Sequence, residues 1–313
     1  MADLQLKGLG VALVTPFKND KSVDFEALER MVEYVVSGSA DYIVVLGTTG
    51  ETPALFPDEK AQIRQTIIKK NAGRIPLILG VGGNNTQAIV NELKEEDFSG
   101  FSAILSVVPY YNKPSQEGLY QHYKAISEAS PLPVVLYNVP GRTGVNMTAP
   151  TTLALARDCE NIIGIKEASG NFAQIEEIIK NKPERFEVIS GDDSITYPLM
   201  TLGAVGVISV IGNAFPMEFG RMVRLCLQGR FQEALPIHWR FNELFNLLFV
   251  DGNPAGVKCT LSALGLIENE LRLPLVPTRM STNEKIHKLL ESLYTPSPDE
   301  LENRVRNNST LFN

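Results

Sequence analysis

Cysteine and histidine are scarce in this sequence of 313 residues, which has three of each. The cysteines are far apart, at Cys159, Cys226 and Cys259. The histidines are equally scattered, at His122, His238 and His287. Neither a disulfide framework nor a CxxC or Cys/His zinc motif is indicated by such spacing. We therefore expect reduced thiols and no bound metal.

The sequence also lacks an excess of positive charge and a long apolar run. Its formal net charge of −7 argues against a nucleic-acid or anionic membrane partner, although local basic sites for anionic substrates remain compatible with it. No apolar stretch approaches the roughly 20 residues of a membrane helix. Residues 1–7 have no basic start followed by an apolar run. We expect a cytoplasmic protein that binds neither nucleic acid nor membrane.

Apolar runs and amphipathic stretches alternate along the chain. Strands are predicted at residues 10–15, 42–46, 76–81, 103–108, 134–138, 162–167, 187–190 and 207–211. Helical patterns follow at residues 24–38, 58–70, 86–96, 116–129, 148–157, 172–181, 194–202 and 217–228. Apolar strands that alternate with helices indicate a parallel sheet covered by helices.

Eight such units in about 230 residues are typical of a closed (β/α)₈ TIM barrel. The alternative is an open, doubly wound sheet. Its dinucleotide-binding version is disfavoured because no GxGxxG follows the first strand. We assign residues 1–230 to the barrel and residues 231–313 to a small C-terminal helical domain with helices at 231–249, 256–264 and 283–293. Residues 295–313 are predicted to be partly mobile, and their role is left open.

A lysine stands near the end of a short β-branched run, IIGIKEA at residues 162–168. Turn-like residues on both sides of the run favour a buried strand that ends beside Lys166. Partial burial disfavours the charged form of a lysine, and a free amine attacks carbonyl carbon to form an imine. Taken alone, the run favours the alternative of a surface lysine that extends into solvent beside Glu167.

In a barrel of this kind, the active site lies where the strands end. GTTGE at residues 47–51 suits a bound carboxylate or phosphate, or is a tight glycine turn. Tyr137, on the strand next to that of Lys166, could exchange protons with substrate or be a core tyrosine. Arg142 could bind a carboxylate bidentately or form a loop salt bridge. No metal-ligand spacing occurs at these strand ends, so the residues permit imine chemistry.

Several of these segments together resemble the dihydrodipicolinate synthase (4-hydroxy-tetrahydrodipicolinate synthase) family of the N-acetylneuraminate lyase superfamily. They are GTTGE at 47–51, PYYNKPSQEGLY at 109–120, YNVPGRTG at 137–144, IIGIKEASGN at 162–171, ISGDD at 189–193 and GVISV at 206–210. The resemblance runs in order to about Leu293 and is specific as a set. It does not cover the tail beyond.

The resemblance implies that Lys166 forms a Schiff base with pyruvate, whose carboxylate Thr48 and Thr49 hold. It also implies a proton relay made of Tyr137, Thr49 and Tyr111, with Tyr111 reaching in from a neighbouring subunit. The family is usually a homotetramer, a dimer of dimers whose active sites pair across a tight interface. No cofactor is implied.

The second substrate by this resemblance is L-aspartate 4-semialdehyde. Arg142 would bind its carboxylate, and the backbone at Gly191 and Ile208 would line the pocket. The reaction implied is condensation to 4-hydroxy-tetrahydrodipicolinate, the first committed step of diaminopimelate and lysine biosynthesis. Lys166 attacks the pyruvate ketone, Tyr137 assists loss of a methyl proton, and the enamine attacks the aldehyde.

Two alternatives are weighed against this interpretation. An N-acetylneuraminate lyase or a 2-keto-3-deoxy sugar-acid aldolase would keep Lys166, Tyr137 and the GxxGE loop, but Arg142 within YNVPGRTG favours a substrate with a second carboxylate. A non-catalytic pyruvate-binding sensor is compatible with the fold, because fold alone does not determine function. The intact set of Lys166, Tyr137 and Thr49 argues against a sensor.

Family members that lysine inhibits bind it in a cleft at the dimer interface. Asn84 and Tyr110 match the positions that bind its carboxylate. Ala88 stands where an acidic residue would pair with its amine, and Pro57 and Lys60 stand in place of histidines. We therefore predict weak or absent inhibition by lysine, since an ammonium group without its partner is costly in a desolvated cleft. Acidic residues that could replace the missing one are Glu51, Asp58 and Glu59.

Overall fold

The computed structural model describes residues 5–294. Within them, eight parallel strands close into a barrel in sequential order. The strands are β1 Gly8–Ala12, β2 Tyr42–Val45, β3 Leu77–Gly80, β4 Ala103–Val107, β5 Val134–Asn138, β6 Ile162–Glu167, β7 Glu187–Ser190 and β8 Gly206–Ser209. The barrel closes where β1 pairs with β8, with Gly8 opposite Gly206. The predicted (β/α)₈ barrel is confirmed.

Helices follow the strands, and the longer ones cover the outside of the barrel. They are α1 Phe25–Ser37, α2 Pro57–Asn71, α3 Thr86–Glu95, α4 Gln116–Ala129, α5 Pro140–Thr143, α6 Ala149–Asp158, α7 Phe172–Asn181, α8 Asp193–Thr201 and α9 Pro216–Leu227. Asp24 caps α1, as its sequence position indicates, because its carboxylate accepts a hydrogen bond from the backbone N–H of Ala27 at 2.9 Å. Asn85, Ser115 and Asn171 cap α3, α4 and α7 in the same way.

Five strand predictions differ from the structure at their ends, and those for β1 and β8 were wrong by more than one residue. The prediction for β1 included Leu13, Val14 and Thr15, which are buried but lie beyond the strand. The prediction for β8 ran to Ile211, where the chain instead starts a 3₁₀ turn. The carboxylate of Asp193 accepts the backbone N–H of Ile211 at 2.7 Å. In both cases the apolar residues are buried by loops that pack on the barrel, so burial continues after sheet pairing stops.

Side chains alternate between an inner and an outer apolar layer. On β5, Val134 and Leu136 belong to the layer between strands and helices, whereas Val135 and Tyr137 belong to the cluster inside the barrel. The inner cluster contains Ala12, Val44, Ile78, Leu105, Val135, Tyr137, Ile189 and Ile208. Since Tyr137 is the last inward residue of β5, the alternation places it at the carboxyl end of the barrel.

Three further helices follow the barrel, α10 Phe231–Leu247, α11 Ala255–Ala263 and α12 Met280–Tyr294. Helix α10 packs on α8 and α9, and the ring of Phe219 on α9 lies 5.8 Å from that of Phe245. The division of the chain at residue 230 therefore stays a prediction, and the tail predicted to be mobile, 295–313, lies outside the described residues. No helix of the described part has the length and apolarity needed to cross a bilayer.

Candidate active site

A cavity of about 420 Å³ opens at the carboxyl ends of the strands. Its size is that of a small-molecule site. The predicted site residues that line it are Thr48, Thr49, Tyr110, Tyr137, Arg142, Lys166 and Gly191. Phe249 and Asn253, from the segment between α10 and α11, complete the wall. The fold thus brings together residues from six separate segments of the sequence around one cavity.

Lys166 projects into this cavity from β6. It pairs in register with Tyr137 on β5, and its Nζ lies 4.3 Å from the centroid of the Tyr137 ring. The residue is only 6% exposed, so the alternative of a lysine that extends into bulk solvent is wrong. Within the described residues, no carboxylate forms an ion pair with Lys166. A buried amine without a fixed anionic partner is available as a nucleophile.

Gly191 borders the Lys166 side chain. A Cβ atom at this position would lie 2.7 Å from Cβ of Ala168, closer than such atoms approach each other, and 3.1 Å from Cε of Lys166, which is a tight contact. Glycine at position 191 therefore leaves the space beside the Lys166 side chain open. Ile208, by contrast, belongs to the apolar cluster inside the barrel, and the β8 segment reaches the cavity wall through Val210.

The GTTGE loop forms a 3₁₀ turn at Thr48–Gly50. Thr48 is exposed at the cavity, whereas Thr49 is buried. The Thr49 hydroxyl oxygen accepts a hydrogen bond from Nδ2 of Asn253 at 3.0 Å. Thr52 Oγ1 donates to the carbonyl of Gly47 at 2.9 Å, and Thr15 Oγ1 donates to that of Gly50 at 2.8 Å. The side chains of Thr15, Thr52 and Asn253 thus hold the loop in place.

Glu51 ends this loop in a fully buried ion pair with Lys258 on α11. Its Oε1 lies 2.5 Å from Nζ of Lys258, and its Oε2 accepts the backbone N–H of Arg272 at 3.1 Å. Nζ of Lys258 also donates to the carbonyl of Glu270 at 2.8 Å and lies 4.1 Å from the centroid of the Phe17 ring. Burial lowers the pKa of Lys258 to about 8, and Glu51 opposes that shift.

These contacts correct one part of the effector-cleft hypothesis. Glu51 is committed to Lys258 inside the protein, so it cannot replace the missing acid. Glu59 is committed as well, because it forms a 2.6 Å ion pair with Arg272 that holds the pKa of the Glu59 carboxyl below its usual range. Asp58 is exposed and remains a candidate for the acidic residue that would pair with the effector's amine.

Arg142 lies in the short helix α5 and is exposed at the cavity. One of its guanidinium nitrogens, Nη2, donates to the backbone carbonyl of Asn253 over 3.4 Å. In the part of the chain that the structure describes, no acidic side chain pairs with Arg142, so the alternative of a loop salt bridge is wrong. The guanidinium keeps most of its donors for an anionic ligand.

Two adjacent tyrosines follow β4 and have different environments. Tyr110 lines the cavity, and its carbonyl accepts a hydrogen bond from Nδ2 of Asn84 at 3.1 Å. Tyr111 is 87% exposed and has a left-handed backbone, with φ of 73°. A non-glycine residue pays a steric cost for this conformation. Its side chain does not line the cavity of its own chain.

Glu167 faces away from the cavity, on the outer side of β6, and sequence reasoning assigned it no role. Its carboxylate accepts hydrogen bonds from the backbone N–H of Ser169 at 2.8 Å and from Nδ2 of Asn138 at 3.2 Å. Gln174 adds a third at 3.3 Å. Burial raises the pKa of Glu167, and these donors oppose that shift. The network ties β5 to β6 where they carry Tyr137 and Lys166.

Sequence reasoning also missed Asn253 and Lys258. Asn253 is 204 positions from Thr49, and no local motif marks either residue. Between residues 5 and 294, no three His, Cys, Asp or Glu side chains lie together in a way that could hold a metal ion. The chemistry that this cavity supports is attack by the Lys166 amine on a carbonyl, with hydroxyl groups and a guanidinium nearby.

Comparison with known proteins agrees with this geometry. The profile of the Dihydrodipicolinate synthetase family matches residues 5–293. A 4-hydroxy-tetrahydrodipicolinate synthase of Parabacteroides distasonis is 66% identical over 293 residues, which make up 94% of this chain and 99% of that protein.

Solved structures give the same family. Dihydrodipicolinate synthase from Aquifex aeolicus has a TM-score of 0.89 and 42% identity, and the match covers 94% of this chain and 100% of that one. The chloride-inhibited dihydrodipicolinate synthase from Acinetobacter baumannii, solved in complex with pyruvate, has a TM-score of 0.89 and 40% identity, with 92% of this chain and 99% of that one covered.

Proposed function

The chain belongs to the dihydrodipicolinate synthetase family, and we propose that Lys166 is the residue through which it condenses pyruvate with L-aspartate 4-semialdehyde. The product is 4-hydroxy-tetrahydrodipicolinate, and the reaction is the first committed step of diaminopimelate and lysine biosynthesis. The observation that carries the assignment of Lys166 is a buried amine without an acidic partner among residues 5–294, open to the cavity beside Tyr137.

The first step joins pyruvate to the enzyme. The free amine of Lys166 attacks the ketone carbon, a carbinolamine forms, and loss of water leaves an imine. Thr48 and Thr49, at the opposite wall of the cavity, supply hydroxyl and backbone N–H groups that hold the pyruvate carboxylate. The space beside Gly191 accommodates the added atoms.

The second step makes the carbon nucleophile. Tyr137 takes up a proton from the methyl carbon of the imine and passes it to Thr49, and the electron pair left behind forms an enamine. Tyr111 of a neighbouring subunit completes the relay to solvent. The Tyr111 side chain is exposed and does not line the cavity of its own chain, which supports this part of the proposal. We infer a homotetramer, built as a dimer of dimers, in which paired sites exchange this residue.

The enamine then attacks the aldehyde carbon of the semialdehyde and forms the new carbon–carbon bond. The amine of that substrate displaces Lys166 from the imine carbon, which closes the ring and frees the lysine. Arg142 holds the carboxylate of the semialdehyde. The guanidinium lies at the cavity without an acidic partner among residues 5–294, which favours this substrate over the sugar acids of the lyases and aldolases in the superfamily.

Substitution of Arg142 by alanine should impair use of the semialdehyde more than imine formation. A lost charge-assisted bond is worth about 1.5–3 kcal/mol, so we expect kcat/KM for the semialdehyde to fall at least about tenfold. Arg142→Lys, which keeps the charge but not the planar fork, should lie between wild type and Arg142→Ala. A coupled assay with varied semialdehyde, together with borohydride trapping of the pyruvate imine, measures both half-reactions. An equal loss in imine formation and in use of the semialdehyde would indicate a structural role for Arg142.

Tyr111→Phe should lower turnover by about 10²–10⁴-fold with the fold intact, because the substitution removes one hydroxyl from the relay. If Tyr111 acts in a neighbouring subunit, a Tyr111→Phe chain and a Lys166→Ala chain should regain activity when they assemble together. A Lys166→Ala chain assembled with a Lys166→Ala, Tyr111→Phe chain is the matched control and should stay inactive. Verified mixed oligomers without recovery would mean that each site is built from one chain.

Feedback inhibition by lysine should be weak, with half-maximal inhibition above about 1 mM. Asn84 and Tyr110 are in contact, and we infer that they bind the effector carboxylate, but Ala88 offers no charge to the effector's amine. Ala88→Glu should restore a partner and lower the half-maximal concentration, whereas Ala88→Gln should not. Activity titrated with lysine measures this. Inhibition of wild type well below 1 mM would contradict the assignment of Ala88.

A further inference from the structure

Asn253 is a cavity residue contributed by the helices that follow the barrel. It lies just before α11 and is 6% exposed. Its side-chain amide donates to Oγ1 of Thr49 at 3.0 Å, and its backbone carbonyl accepts from the guanidinium of Arg142 at 3.4 Å. One residue therefore contacts both the pyruvate end and the semialdehyde end of the proposed site.

The direction of the hydrogen bond to Thr49 has a chemical consequence. A hydroxyl group has one O–H donor and two acceptor lone pairs. The amide of Asn253 uses one lone pair, and it leaves the O–H and the second lone pair of Thr49 free. A relay group must accept one proton and release another, so these are the two functions that Thr49 requires. An acceptor in place of the amide would instead take the O–H away from the relay.

Several other contacts hold the GTTGE loop in place. The GTTGE turn is held by Thr15 and Thr52 through its carbonyls and by the Glu51–Lys258 ion pair at its end. Loss of the Asn253 amide should therefore leave the backbone of the turn in place. What the amide controls is the orientation of the Thr49 hydroxyl.

We propose that Asn253 is a positioning residue for proton transfer, whose amide keeps the Thr49 hydroxyl free to accept and donate protons while its carbonyl orients Arg142. The proposal rests on the function assigned above. It gives the segment before α11 a part in proton transfer that acts through Thr49, since this segment brings Asn253 to the cavity. Imine formation at Lys166 needs no relay through Thr49, whereas loss of the methyl proton does.

Two readouts with pyruvate alone separate these steps. Borohydride trapping reports the imine on Lys166. Incubation in D₂O, followed by proton NMR of the pyruvate methyl group, reports transfer of the methyl proton to the relay and return of a deuteron. In Asn253→Ala at saturating pyruvate, we expect imine formation within about threefold of wild type and methyl exchange at least about tenfold slower.

Asn253→Asp tests the direction of the hydrogen bond at almost constant size. A carboxylate accepts only, so it should capture the Thr49 proton and leave methyl exchange as slow as in Asn253→Ala. If Asn253 acts only through packing, this variant should instead exchange at nearly the wild-type rate. Asn71→Ala is the matched control, because Asn71 is buried at the opposite end of the barrel, where its Nδ2 donates to the carbonyl of Ile75 at 2.8 Å. In Asn71→Ala, the rate of methyl-proton exchange relative to the amount of imine trapped should equal that of wild type.

The outcomes are separable. Slow exchange with retained imine in both Asn253 variants supports the proposal. Unchanged exchange in either variant overturns it, and so does a parallel loss of imine and exchange in both. Failure of wild-type protein to form an imine on Lys166 would instead refute the function on which the proposal rests.

Discussion

Incubation with pyruvate and borohydride should attach a carboxyethyl group irreversibly to Lys166 and inactivate the protein. Borohydride reduces the imine to a secondary amine, which cannot hydrolyse, and a simple complex of pyruvate leaves no such trace. Peptide mass mapping locates the modified lysine. Removal of the nucleophile in Lys166→Ala should reduce turnover by at least about 10³-fold.

The chain provides an internal control for this experiment in Lys258. That lysine is even more buried than Lys166, but its amine is bound to Glu51 and does not reach the cavity. We expect no adduct on Lys258, because burial without access to pyruvate does not yield an imine. Modification at a lysine other than Lys166, or none at all, would contradict the proposed mechanism.

Lys258→Met should destabilise the fold by about 3–5 kcal/mol, since it leaves the Glu51 carboxylate buried without its partner charge. Methionine fills the space of the lysine stem, so the loss reflects charge more than volume. Urea unfolding of wild type and variant, followed by circular dichroism, measures the difference in unfolding free energy. Activity should fall as well, because Glu51 ends the loop that carries Thr48 and Thr49.

Two control variants separate charge from packing at this site. Adding Glu51→Gln to Lys258→Met removes the unpaired charge, and the amide of glutamine still offers a carbonyl oxygen to the N–H of Arg272. We therefore expect the double variant to regain much of the lost unfolding free energy. Arg230→Ala disrupts an ion pair with Glu233 in which both side chains are 52% exposed, and it should leave the unfolding midpoint nearly unchanged. A mild effect of Lys258→Met, or no recovery in the double variant, would contradict this account.

The order of strands and helices could be read from the sequence because the signal for each element is local. Strands β5, β6 and β7 have the predicted bounds, and in each an apolar run is bordered by turn residues. The same pattern put Tyr137 and Lys166 at the ends of neighbouring strands, where a parallel barrel gathers its functional groups. Resemblance to a family added the roles that local patterns leave open.

Contacts between distant segments could not be read in this way. The amide of Asn253 on Thr49 and the ammonium group of Lys258 on Glu51 join the barrel loop to helices some 200 residues later. The exposed position of Tyr111 and the commitment of Glu51 and Glu59 to basic partners likewise depend on which surfaces meet. Periodicity and propensity describe neighbours in sequence, whereas hydrogen bonds and ion pairs of this kind form only after the closed barrel has brought its loops and the C-terminal helices into contact.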